Sequence, residues 1–133
     1  MKSKLVGSLV VVLMGMLLSV PMCWAKEKAY NYVVAYSFKT KIVYYTPTFM
    51  LKVDGVSYNN EEYVSDTETI LEMESAFQDF MEKELKLDRE EYTVSARMAY
   101  KTEEIAKAKL EKEVGDFRFK GFKVNEVSKF KFK

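Results

Sequence analysis

The groups in this sequence that could do chemistry are carboxylates, lysines, tyrosines and a few serines. Histidine is absent, and the one cysteine, Cys23, closes an apolar leader. That set excludes Ser-His-Asp and Cys-His nucleophiles. It also withholds the nitrogen and sulfur ligands on which zinc and copper sites depend. Two-carboxylate glycoside hydrolysis and an oxygen-ligated calcium site remain formally open. Glu61-Glu62, Glu90-Glu91 and Glu103-Glu104 each supply carboxylates, but sequence neighbours point to different sides and do not make a facing pair. Asp54, Asn59, Asn60, Glu61, Glu62 and Asp66 offer oxygens without the ordered spacing of a calcium loop. Ser37 near Lys39 and Ser95 near Arg97 have no context for a nucleophile. The chain therefore reads as non-catalytic, with no cofactor and no metal; a carboxylate-based hydrolase is the weakest of the functional readings.

What remains is recognition. The candidate partner-binding residues are Tyr45 and the basic residues Arg118, Lys120, Lys129 and Lys131. In Phe117–Lys133 phenylalanines alternate with basic residues, as in an outer strand with one buried and one wet side. Its cations would then form a positive stripe facing an anionic wall polymer, lipid headgroups or an acidic protein. The plainer reading is that lysines blunt an exposed sheet edge. The nine tyrosines fit cross-strand packing with hydroxyls at the surface.

The first 25 residues set the compartment. Lys2 and Lys4 precede an apolar run, Leu5 to Val20, which Pro21 ends; Cys23 and Ala25 are small residues three and one positions before a cut after Ala25. That is the layout of a cleavable secretory signal, so 1–25 is expected to be removed and 26–133 to form one mature domain, periplasmic or secreted. A retained anchor and a lipid-modified Cys23 are the alternatives. Export argues against nucleic acid as a partner. The mature part has no cysteine, so its stability must come from a packed core, for which it is long enough.

Charge is uneven along the chain. Residues 26–53 hold five lysines and one glutamate, 54–91 hold thirteen acids and three bases, and 92–133 hold eleven bases and six acids. Acidic helix faces and basic strand faces attracting each other within one fold account for this.

The elements follow from periodicity. Tyr30 to Thr46 alternates, with Tyr32, Val34, Tyr36, Phe38, Ile42 and Tyr44 on one face and Asn31, Ser37, Lys39 and Lys41 on the other. One bent strand or a hairpin with an odd loop preserves that phase. Pro47 interrupts it. Thr48–Val53 reads as a strand, with Asp54-Gly55 as a two-residue hairpin turn and Val56 and Tyr58 on the return. A helix over Asp66–Leu87 carries Ile70, Met73, Phe77 and Phe80 on one stripe, opened by Ser65 and Glu68 at capping-box spacing. Tyr92–Tyr100 alternates again. A second helix over Thr102–Val114 is expected to stop at Gly115. Gly121 marks a bulge in the last strand region, with a further strand through Phe130 and Phe132.

The stretch Tyr92–Leu110 followed by Phe122–Val124 is loosely similar to the second half of small β-α-β repeats, among them the sporulation-related glycan-binding repeat of cell-wall proteins. That resemblance implies glycan binding as the alternative function. The fold expected is α+β: a single domain, an antiparallel sheet of about four to six strands, and two helices packed on one face. The function expected is a small exported interaction module, with a protein partner at the cell envelope first and cell-wall glycan second.

Overall fold

The computed structural model describes residues 26–133, and the leader lies outside them. The fold is α+β, a single domain. Its strands are β1 (Lys26–Ser37), β2 (Ile42–Tyr45), β3 (Phe49–Asp54), β4 (Thr93–Tyr100) and β5 (Lys123–Glu126). Its helices are α1 (Thr67–Glu84) and α2 (Glu103–Phe119), with a short 3-10 turn at Arg89–Glu91. All these elements and both hydrophobic clusters fall within 26–133.

β1 is the centre. β4 pairs antiparallel with one edge, and β2 and then β3 pair antiparallel with the other. β5 joins β2 in parallel, so the sheet is mixed and not wholly antiparallel as expected. β4, α2 and β5 form a crossover unit whose two parallel strands are separated by β1 and β2.

The helices do not share a face. Val33 and Ala35 pack with Met73, Phe77 and Met81 of α1. Tyr32 and Val34 pack with Ala106, Leu110 and Val114 of α2. Successive strand residues point to opposite sides, so β1 is sandwiched and α1 and α2 cover opposite faces. The expectation of one covered face treated Asn31 and Ser37 as an open polar side; both are buried.

Two bulges set which residues face each helix. Val34 pairs with Tyr45, yet Asn31 pairs with Phe49, so Pro47 and Thr48 together stand opposite Tyr32. The extra residue turns Phe49, Leu51 and Val53 inward towards α1 and leaves Met50 exposed; an unbroken register would do the reverse. On the other edge, Tyr30 pairs with Tyr100 and Tyr32 with Arg97, so Met98 and Ala99 together face Asn31. Tyr100 thereby leaves the face of Val94, Ala96 and Met98 and stacks on Tyr32 under α2, ring centroids 6.1 Å apart.

The local expectations fare unevenly. Tyr30–Thr46 is a hairpin, but its loop, Phe38–Lys41, has an even length. Val43 and Tyr45 therefore share the face of Tyr32 and Val34, and Tyr44 joins the α1 side. Asp54-Gly55 makes no hairpin: among the described glycines only Gly121 has a positive φ, and the two-residue turn needs one at Gly55. Asp66, not Ser65, caps α1, accepting from the Glu68 amide and the Thr69 hydroxyl. α2 runs through Gly115 and stops at Gly121 (φ 88), where the left-handed conformation ends the helix. Phe117 and Phe119 are thus helical, and the apparent slip beyond them is a change from helix to strand.

Among the described residues no strand follows β5. Val127–Lys133 runs as a strap along α1, with the Phe130 ring 5.0 Å from Phe77 and 5.6 Å from Phe80. Lys133 reaches Glu72 at 3.1 Å. This contact joins the basic C-terminal segment to the acidic helix, whereas Arg89, which pairs with Asp79 and Glu82, belongs to the acidic segment itself.

Asn31 locks the two bulges together. Its Oδ1 accepts from the Ala99 amide at 3.0 Å, and its Nδ2 donates to the Phe49 carbonyl at 3.2 Å. Ala99 holds φ 73, a left-handed conformation that costs a residue with a Cβ about 1 kcal/mol or more. Replacing Asn31 by Leu is expected to cost about 3 kcal/mol, because a buried amide and a carbonyl lose their partners. Ala99→Gly is expected to raise stability by about 0.5–1 kcal/mol by relieving the strain. Urea denaturation of the two variants checks both signs.

Candidate functional site

The break at Pro47 opens the surface as well as setting the register. Where β2 ends, Thr46 substitutes for strand pairing: its amide donates to the Val33 carbonyl and its hydroxyl accepts from the Val33 amide, both at 3.0 Å. The chain then steps around Pro47, and α2 passes over the gap. The result is a groove of about 420 Å³. Pro47, Leu110 and Val114 give it an apolar lining, and Tyr45 and Thr48 line it from the sheet side. Lys107 and Arg118 bring positive charge to it, and Glu111 and Glu126 negative charge.

Two of the five candidate residues, Tyr45 and Arg118, therefore meet in one site. The others do not join them. Lys120 is the C-cap of α2. Lys129 and Lys131 lie on the strap beside Asp79, Phe80 and Glu84 of α1, against the opposite face of the sheet. The expected stripe along an outer strand does not form, because Arg118 and Lys120 end a helix and Phe130 draws its neighbours onto α1.

Alternation concealed a second cluster, between β4 and α2. Arg97 meets Glu113 through two nitrogens, at 3.2 and 2.9 Å. The Tyr32 hydroxyl donates to the same carboxylate at 2.8 Å, and Arg97 donates to the Ser95 hydroxyl at 2.7 Å. Burial and the Glu113 carboxylate push the Tyr32 phenol far above its ordinary range. Burial likewise raises Tyr100. The hydrogen bond to Glu113 raises Arg97. A phenol held protonated and a carboxylate engaged at both oxygens fasten α2 to the sheet. Arg97 lies in a strand and Glu113 in a helix, 16 residues apart in sequence, so only the fold brings them together.

The acidic loop is organised by itself. The Asn59 side-chain oxygen accepts from the amides of Glu61 and Glu62 at 2.8 Å, and Glu62 accepts from the Asn59 side-chain nitrogen. These oxygens close a turn. Ser37 likewise accepts from the Thr40 amide in the β1–β2 turn.

No family model matches the chain, and neither a curated protein nor a solved structure does.

The Arg97–Glu113 pair is partly exposed, with side-chain exposures of 39% and 19%. Glu113→Ala is expected to cost about 2 kcal/mol, less than for a fully buried pair. The Tyr32 phenol is raised in the folded state, so its stabilisation is complete below the unfolded value near 10 and declines as pH rises beyond it. The gap in melting temperature between the wild-type chain and Tyr32→Phe should therefore narrow from about pH 8 to about pH 11. Thermal melts followed by circular dichroism across that range check it.

Proposed function

We propose that this chain is an exported, non-catalytic interaction module that holds a segment of a protein partner in the groove between α2 and the Pro47 break. The observation that carries the reading is the pairing of Tyr45 and Arg118 around an apolar lining with charges of both signs. Tyrosine and arginine are favoured anchors at protein interfaces, where a few desolvated side chains supply most of the affinity. A lining of Leu110, Pro47 and Val114 suits an apolar side chain, and the cations Lys107 and Arg118 with the carboxylates Glu111 and Glu126 suit a peptide with mixed charge. A uniformly anionic ligand would meet the two glutamates at close range. Commitment of Glu113 and Tyr32 to the helix–sheet clamp further supports a non-catalytic role.

A glycan is the second reading, favoured by one observation: an aromatic ring beside carboxylates in a shallow groove. The two separate cleanly. A photo-crosslinking residue at Tyr45 should capture one envelope protein saturably in the producing cell, and the same residue at the remote, exposed Tyr58 should not. Arg118→Glu should weaken that capture by about tenfold or more. Displacement by soluble wall fragments would favour the glycan, and turnover of those fragments would favour an enzyme. Recovery of the chain in the cytoplasm would remove the premise of export.

A further inference from the structure

The end of the domain formed by the β1–β2 turn and the C-terminus of α2 carries an unusual combination of side chains. Phe38 is 67% exposed and Phe119 is 93% exposed. Exposure that high belongs to a ring projecting from a convex surface. Phe38 is held from below by Tyr36 and Phe122, at 5.5 and 5.6 Å, and Phe117 fills the space between those two. Phe38 therefore stands on a fixed aromatic base, and Phe119 projects from the end of α2.

Cations surround it. The Lys41 ammonium lies 4.9 Å from the Phe122 ring centroid and 5.7 Å from that of Phe38. Lys123 donates its amide to the Lys41 carbonyl, which places it beside the same turn. Lys120 caps α2 next to Phe119. Two acids lie close: Glu91 is paired with Lys39 at 3.1 Å, and Asp116 sits one turn further back on α2. Lys41, Lys120 and Lys123 are exposed.

We infer that this tip is a docking surface for an anionic phospholipid bilayer, with Phe38 and Phe119 entering the headgroup–acyl boundary and the three lysines meeting lipid phosphates. The choice of occupant follows from the chemistry. A hydrated polyanion would satisfy the lysines and leave two aromatic rings in water. An apolar protein pocket would take a ring but not the surrounding charge. A bilayer surface offers negative charge above an apolar layer, and it deforms around a convex projection without a preformed cavity. Phenylalanine flanked by basic side chains matches that order in depth. None of Phe38, Lys41, Phe119, Lys120 and Lys123 lines the Tyr45 groove, so the inference stands whether or not the proposed protein partner exists.

The test uses residues 26–133, which contain both cores, and removes the leader at the end of β1 remote from the tip. Flotation with phosphatidylcholine vesicles is compared with flotation after about one third of the lipid is replaced by phosphatidylglycerol. The expected result is binding to the anionic vesicles at least about tenfold above the neutral ones, weakening with added salt. Phe38→Ser with Phe119→Ser should lower it by about tenfold or more while the melting temperature is kept. Lys41→Gln with Lys120→Gln should lower it by roughly fivefold per lysine and flatten the salt dependence. Equal binding to both vesicle types, or no binding to either, would overturn the inference. So would full retention of vesicle binding in the phenylalanine double variant or in the lysine double variant.

Discussion

A single buried amide, Asn31, holds the sheet in register. β1 has a helix on each face and a strand on each edge, so it has no direction in which a misplaced polar group could reach water. Both neighbouring strands carry an extra residue at the level of Tyr30–Tyr32, and Asn31 bonds to each of them, at Ala99 and at Phe49. Without that link the edges could slip independently. A one-residue slip in β3 would expose Phe49, Leu51 and Val53, and one in β4 would carry Tyr100 to the wrong side. A satisfied polar group of this kind adds specificity that an apolar residue of the same size would not. Among the buried side-chain nitrogen and oxygen atoms of the described region none lacks a hydrogen-bond partner.

Periodicity made most elements legible and the bulges illegible. α1 could be read because Ile70, Met73 and Phe77 recur at helical spacing over several turns. β1 and β4 could be read because alternation survives within each. Alternation alone does not say whether the second set of positions is also buried; Val33 and Ala35 are small apolar residues between larger ones, and they pointed to a second covered face. Asn31 and Ser37 masked that signal. Pro47 marked the break in the second edge strand, but its consequence for Phe49 needed the partner register. Gly115 and Gly121 compete as helix stops, and only conformation separates them: Gly121 adopts a left-handed backbone and Gly115 does not. Phe-Lys alternation at the C-terminal end imitated a strand, when the aromatic residues serve α1 as a strap.

The candidate groove was half legible. Tyr45 and Arg118 are of the right types, but 73 residues separate them in sequence and only the crossover from β4 through α2 brings them together. The clamp of Arg97, Glu113 and Tyr32 was not legible at all, since each member looks ordinary in its own element. Groove and clamp lie on the same side of the sheet and serve different ends. The clamp fixes α2 against β1 and β4, and the fixed helix then overhangs the gap that Pro47 leaves. The groove is therefore a by-product of how the edge strand is interrupted, and its shape depends on residues that never touch it.

The position of β1 along the chain also governs how the domain can form. It precedes every element that covers it. The hairpin with β2 and β3 can close early, because its loop is short and its pairs are local. β4 arrives some sixty residues after the middle of β1, and α2 and β5 later still. Closing such distant pairs is slow, since chain entropy is lost before the new contacts compensate it. In the interval β1 is a twelve-residue strand, apolar on both faces at its centre and unpaired along one edge. Such a species invites pairing with another copy or capture by a chaperone. The late, long-range closure of β4, α2 and β5 onto β1 and β2 is the step expected to limit folding, so topology weighs more on its speed than the strength of any local element.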